Sequence, residues 1–389
     1  MQLKHNILKL YLLKGFLWFM LSMPIIILFF EDNNLSYTQI FILQSVYSLT
    51  LAILEIPSGY IADLFGRKNS LVVGSIFIFS GYLIFCSFIG FEMFLLAEVL
   101  IAIGGSLMSG ADSAIMYDTL VELNRKDQYT RVEGKTYAIG NFSEGIAGFI
   151  GGTILASFSL LLPFQIQTAI LFFCIPISIS LIEPSININN RIEKGFSSIL
   201  KVVRYSFYEN VKLRWIIIYS SIIGVSSLSA AWLAQPFFIF IEVDLFYYGI
   251  LWAILNFTSG MGSYNSYKID HNYSFERIMI ILGTFMSFCF LFIYFIPNYF
   301  GIIFIFIIYF LRGVLTPIIK NQINMHAESK IRATVMSLRS GLLRIIFAIV
   351  APFLGVMADH SGTINSFILL FIVTITLLFI TIFNYMRLD

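Results

Sequence analysis

The sequence predicts an all-α membrane protein of twelve transmembrane helices, arranged as two pseudo-symmetric six-helix halves. Three observations carry this. Of 389 residues, 58% are hydrophobic and only 12% charged, with a mean hydropathy of +0.87; soluble domains carry about 25% charged residues. The apolar residues fall in long runs parted by short polar breaks. The loop-borne lysines and arginines all lie on one side of the ladder those runs define.

In chain order the runs are 7–30, 37–61, 69–89, 92–119, 136–158, 161–182, 213–240, 246–268, 275–296, 299–320, 333–357 and 364–386. Each can cover the ~30 Å hydrocarbon core at about 1.5 Å per residue. Pro24, Pro57, Pro176, Pro236, Pro317 and Pro352 fall inside or near the ends of runs, where neighbouring helices can satisfy the freed backbone groups. The first run is too long for a cleaved signal peptide. The abundant phenylalanine suits lipid-facing surfaces. Odd-to-even connections hold only acids, Glu31, Asp32, Glu92, Glu242, Asp244 and Asp359, while the opposite loops hold the bases. Both termini are therefore expected in the cytoplasm, and the chain in a bacterial cytoplasmic membrane.

The halves are read as 1–182 and 213–389, joined by a cytoplasmic linker at 183–212. In the linker Phe196, Ile199, Leu200, Val203 and Phe207 recur at helical spacing, with Lys201, Arg204 and Tyr208 on other faces. That pattern suits an amphipathic helix on the inner leaflet, or equally a soluble linker helix. Ala147-Gly148-Phe149-Ile150-Gly151 in run five matches Ala351-Pro352-Phe353-Leu354-Gly355 in run eleven, the correspondence that two repeated halves require.

Several function classes drop out. Cys86, Cys174 and Cys289 lie within spans without metal-ligand spacing, and the histidines are scattered. No nucleophile–His–acid grouping or phosphate-binding glycine loop is present. No metal, cofactor or catalytic site is expected, and the bases form no patch for nucleic acid. Energy is expected from an ion gradient, with a small-molecule substrate, protons and membrane lipid as partners of a monomer.

The most specific stretch is Gly59-Tyr60-Ile61-Ala62-Asp63-Leu64-Phe65-Gly66-Arg67-Lys68, a charged turn between runs two and three. Through Gly59, Asp63, Gly66, Arg67 and Lys68 the chain resembles the major facilitator superfamily of secondary transporters, over essentially its whole length. The resemblance implies that the glycines allow tight packing and a sharp turn. It also implies that Asp63 latches one conformation by contacting the start of run eleven, near Arg332 to Arg339, where the helix dipole favours an anion. The competing reading is a loop whose charges set topology alone. Ala147-Gly148-Phe149-Ile150-Gly151-Gly152 keeps the final glycine pair of a drug–proton antiporter motif but lacks its proline. Glu98 stands where such antiporters carry an arginine, so a mechanism built on that arginine does not carry over.

Charges inside spans are costly and functional by default. Glu98, Asp112 and Glu144 are candidates to carry the coupling proton, and Arg312 and Arg344 to bind an anionic group or pair with an acid. Structural ion pairs are the competing reading. Trp18, Tyr47, Trp232, Gln235 and Asn256 are cavity candidates, with ordinary helix packing as the alternative. The expected function is proton-coupled export of a drug or small amphipathic metabolite by alternating access. Import of a small organic solute is the alternative, and a multispanning membrane enzyme a remote one.

Overall fold

A computed structural model describes residues 2–185, 201–328 and 331–388. The described chain is helical with no strand. In order the α-helices are α1 (His5–Leu17), α2 (Ile26–Asp32), α3 (Tyr37–Phe65), α4 (Arg67–Ser87), α5 (Phe91–Met108), α6 (Ala111–Glu122), α7 (Tyr129–Phe149), α8 (Leu162–Phe172) and α9 (Cys174–Ser180). There follow α10 (Val211–Phe240), α11 (Phe246–Asn272), α12 (Phe275–Phe295), α13 (Gly301–His326), α14 (Arg332–Ser361) and α15 (Thr363–Met386). The all-α transmembrane fold class expected from the sequence stands. Among the described residues nine helical segments are long and apolar enough to cross a membrane. Runs 7–30, 136–158 and 246–268 are not among them. The first is broken into α1 and α2, and the other two are rich in glycine and polar residues.

Contacts divide the chain into two compact units. The first is Met1–Leu35, Val46–Glu193 and Asp244–Ala253; the second is Ser36–Ser45, Lys194–Val243 and Ile254–Asp389. In the first, the closest pairing is α4 with α5. In the second, α10 packs against α13, α14 and α15. The linker residues 186–200, with Phe196, Ile199 and Leu200, lie outside the described residues. Beyond them a short π-helix, Tyr205–Glu209, precedes α10.

Phenylalanine does more than face lipid. Phe142, Phe158 and Phe379 are exposed, but Phe29, Phe30, Phe85, Phe94 and Phe164 nest together in the first unit with ring centroids 4.0–6.5 Å apart. Such ring pairs add about 0.5–1.5 kcal/mol each beyond area burial.

Two helix starts are closed by acids from far along the chain. Glu183 accepts from the Arg67 and Lys68 amides, at 3.0 and 2.6 Å, at the first turn of α4. In the second unit Asp359 of α14 accepts from the Tyr37 and Thr38 amides, at 2.9 and 2.8 Å, at the first turn of α3. Each satisfies orphan N–H groups and sits at the positive end of a helix.

Candidate functional site

The polar residues of the first unit gather where its helices break. Helix α1 stops at Leu17, and Pro24, which has no N–H, begins a short turn at Met23–Ile25 before α2. Between them the Ser22 amide and Oγ both donate to Gln167 Oε1 of α8, at 3.0 and 2.9 Å. A buried side-chain amide thus satisfies backbone that the break exposes. The glycine-rich segment of α7 and the π-helix Ile150–Leu155 close against this break. A Cβ at Gly151 would overlap the Leu21 carbonyl, and one at Gly152 would lie 2.7 Å from Gly249 Cα. One at Gly148 would lie 2.7 Å from the Trp252 ring. The motif without its proline therefore works as a packing surface.

Beside Ser22 and Gln167 lies Glu98 of α5, 5% exposed. The buried Tyr82 hydroxyl is in hydrogen-bonding reach of Ser22 and Gln167 and within electrostatic range of Glu98 and Tyr47. Glu98 and Tyr47, expected separately at the site, are thus brought together. Tyr82, Ser22 and Gln167 escaped the sequence reading because they look like ordinary span residues. Only their shared burial in one cluster marks them.

A second cluster sits at mid-depth. Residues Ser109 and Gly110 separate α5 from α6, and Gly110 takes φ +78°, a left-handed conformation that glycine adopts without a Cβ clash. Asp112 therefore stands in the first turn of α6, where its Oδ2 pairs with Lys14 Nζ at 3.2 Å. Lys14 also lies 5.0 Å above the Trp18 ring, within cation–π range. Trp18 meets Tyr137 edge-on at 6.2 Å. Lys14 is nine residues into α1 and Asp112 ten from the end of α6, each ~14 Å in at 1.5 Å per residue. The expected Asp112 and Trp18 are thus joined through Lys14. Glu144 is half-buried on α7.

The signature turn is tighter than expected. Its loop is Gly66 alone, with φ +95° between α3 and α4. Gly59 has open space around it rather than a close neighbour. Arg67 forms an ion pair with Asp118 of α6 and donates to the Ala114 carbonyl at 2.7 Å. The Asp63 side chain, on which the latch expectation rests, lies outside the described residues.

In the second unit, Arg339 donates from Nε to Ser220 Oγ of α10. Gln235 is buried, while Trp232, Asn256 and Arg344 are half-buried. Arg312 is exposed on α13, its guanidinium 5.7 Å from the Tyr309 ring centre. Among the described residues no group of His, Cys, Asp and Glu could hold a metal ion.

A model of the Major Facilitator Superfamily matches residues 10–338. A search of curated protein sequences finds no match. Solved structures similar to this one include an aspartate-to-alanine mutant of the nucleoside transporter NupG, at TM-score 0.82 and 14% identity, covering 98% of this chain and 99% of that one. A peptide transporter POT in complex with sulfate has TM-score 0.75 and 12% identity, covering 97% and 93%. A bacterial homolog of the human lysosomal transporter Spinster, inward-facing and unoccupied, has TM-score 0.73 and 16% identity, covering 99% and 96%. At such identities the likeness concerns the fold.

Proposed function

The chain belongs to the Major Facilitator Superfamily and is a secondary transporter; on that premise we propose that it exports a drug or small amphipathic metabolite in exchange for protons. The observation that carries the proton side is Glu98, a carboxyl 5% exposed beside two phenols and the Ser22–Gln167 pair. A carboxyl buried within a span is a proton-carrier candidate by position. Asp112, held by Lys14, is the cargo-side acid, with Trp18 and Tyr137 as aromatic walls. Both termini lie in the cytoplasm, and Asp63 with Gly66, Arg67, Lys68 and Arg339 biases one conformation.

The mechanism needs Glu98 to lose its proton to one side of the membrane before cargo is carried to the other. Reconstituted protein under an imposed pH gradient, offered a panel of candidate solutes, tests this. Glu98→Gln is expected to abolish gradient-driven transport while keeping solute exchange at equal pH. Gradient-driven transport by Glu98→Gln at close to the wild-type rate would sink the assignment. The direction of the gradient that drives accumulation separates export from import.

A further inference from the structure

Four bases of the second unit lie along two of its helices with no ion pair among the described residues. Arg312 and Lys320 lie on α13, and Arg339 and Arg344 on α14. The sequence placed Lys320 at a helix end, but α13 continues six residues beyond it to His326. Arg312 is eleven residues from Gly301, ~16 Å deep. Lys320 and Arg339 share a depth near 10 Å from the inner ends of their helices, by the same rise, and are close enough to repel one another. Tyr309, Arg312, Thr316 and Lys320 follow at three- and four-residue spacing, so they form one stripe along α13.

The acids of this unit stay at helix ends. Asp270, at the inner end of α11, accepts from Asn321 at 3.1 Å. Glu276 lies in the first turn of α12, and Asp359 caps α3. Among the described residues none of Arg312, Lys320, Arg339 and Arg344 forms an ion pair. Like charges at this depth are unfavourable, and exposed intramembrane charges face cavities rather than lipid. Bases that pair with none of the described acids suit a counter-charge that comes and goes.

We infer that this stripe is the receptor for an oxyanion on the cargo, a carboxylate or phosphate group, with Arg312 as its deepest contact. The inference rests on the transport reading above and narrows its amphipathic cargo to an organic anion. Arg312 suits the role because its planar fork grips two oxygens at once, and the Tyr309 ring beside it orients the guanidinium. Thr316, one turn inward on the same face, donates its hydroxyl to the Arg312 carbonyl at 2.7 Å. Lys320 and Arg339 then draw the anion toward Arg312 from the inner end.

The test is binding, without any proton gradient, so it stands or falls separately from the Glu98 assignment. The full chain in neutral phosphatidylcholine nanodiscs is melted at constant ionic strength with benzoate, phenyl phosphate, benzylamine or benzyl alcohol. At least one anion is expected to stabilise saturably, and the cation and the alcohol are not. Arg312→Gln should weaken apparent anion affinity about 10- to 100-fold, the loss of a charge-assisted contact. It should leave the unliganded melting temperature unchanged or raised, because repulsion is relieved. Arg312→Lys and Lys320→Gln should weaken it less, and they carry the comparison if Arg312→Gln fails to assemble. Failure of both anions, equal stabilisation by benzylamine, or a lower unliganded melting temperature in Arg312→Gln would each overturn the inference. So would stabilisation that appears only when phosphatidylglycerol replaces the neutral lipid, since the anion would then be a headgroup.

Discussion

Asp359→Ala is the sharpest probe of how α3 is held. The first four amides of a helix have no partners within it. Here each has one. Ser36 and Gln39 form a reciprocal capping box, with Gln39 N to Ser36 Oγ at 3.3 Å and Ser36 N to Gln39 Oε1 at 3.0 Å. Ile40 N reaches the Ser36 carbonyl at 3.0 Å. The remaining two, Tyr37 and Thr38, take one oxygen each of Asp359. Asp359 can reach them because Gly355, one turn earlier on the same face of α14, lets the Tyr37 carbonyl come close; a Cβ there would lie 2.7 Å from it. Loss of a capping acceptor costs about 1 kcal/mol, within a range of roughly 0.5–2. The site is exposed and water replaces part of what is lost, so ~1 kcal/mol is the working figure. At about 1.4 kcal/mol per tenfold, local opening at Tyr37 and Thr38 should rise roughly fivefold. Hydrogen exchange of peptides covering the start of α3 measures this. Gln39 and Ile40, held by Ser36, should change less, and Asp359→Asn, which keeps one acceptor, should fall between. Unchanged protection of Tyr37 and Thr38 in the alanine variant would refute the reasoning. Equal loss along all of α3 would also refute it, since the effect would then be global rather than a lost cap.

The Arg67–Asp118 pair, with side chains 15% and 12% exposed, should show the asymmetry of buried ion pairs. Arg67→Ala alone removes the Asp118 carboxylate's ion-pair partner and should cost up to about 3–5 kcal/mol; Arg67→Ala with Asp118→Ala should recover much of that in a thermal melt. Gly151→Ala drives a methyl into the Leu21 carbonyl and should cost about 1–3 kcal/mol by overpacking. Gly59→Ala, with open space around it, should leave the stability within about 0.5 kcal/mol of wild type.

Much of the fold could be read in advance, because a span needs only a run of apolar residues as long as the bilayer is thick. The site was harder. Glu98, Asp112 and Arg312 were found because a charge in an apolar run is conspicuous. Tyr82 and Gln167 were not, because a phenol or an amide in a span has no pattern in one dimension. Lys14 gave no such signal, since a base near a helix start serves topology by default, and only the break between α5 and α6 brings Asp112 to it. The glycines of run five stood out as part of a motif, but the surface they meet is the unwound Leu21 segment that no periodicity announces.

By itself the sequence determined membrane residence, the transporter superfamily and the signature turn, since hydropathy, charge asymmetry and a local glycine-and-charge motif are properties of neighbouring residues. Ser36 and Gln39 were local in the same sense, three residues apart. Only the tertiary structure decided that Asp359 closes the start of α3, that Glu183 closes the start of α4, and that four bases on α13 and α14 stand without an ion pair among the described residues. The physical reason is range: a helix start exposes its amides locally, but the acid that satisfies them is chosen by packing, from anywhere along the chain.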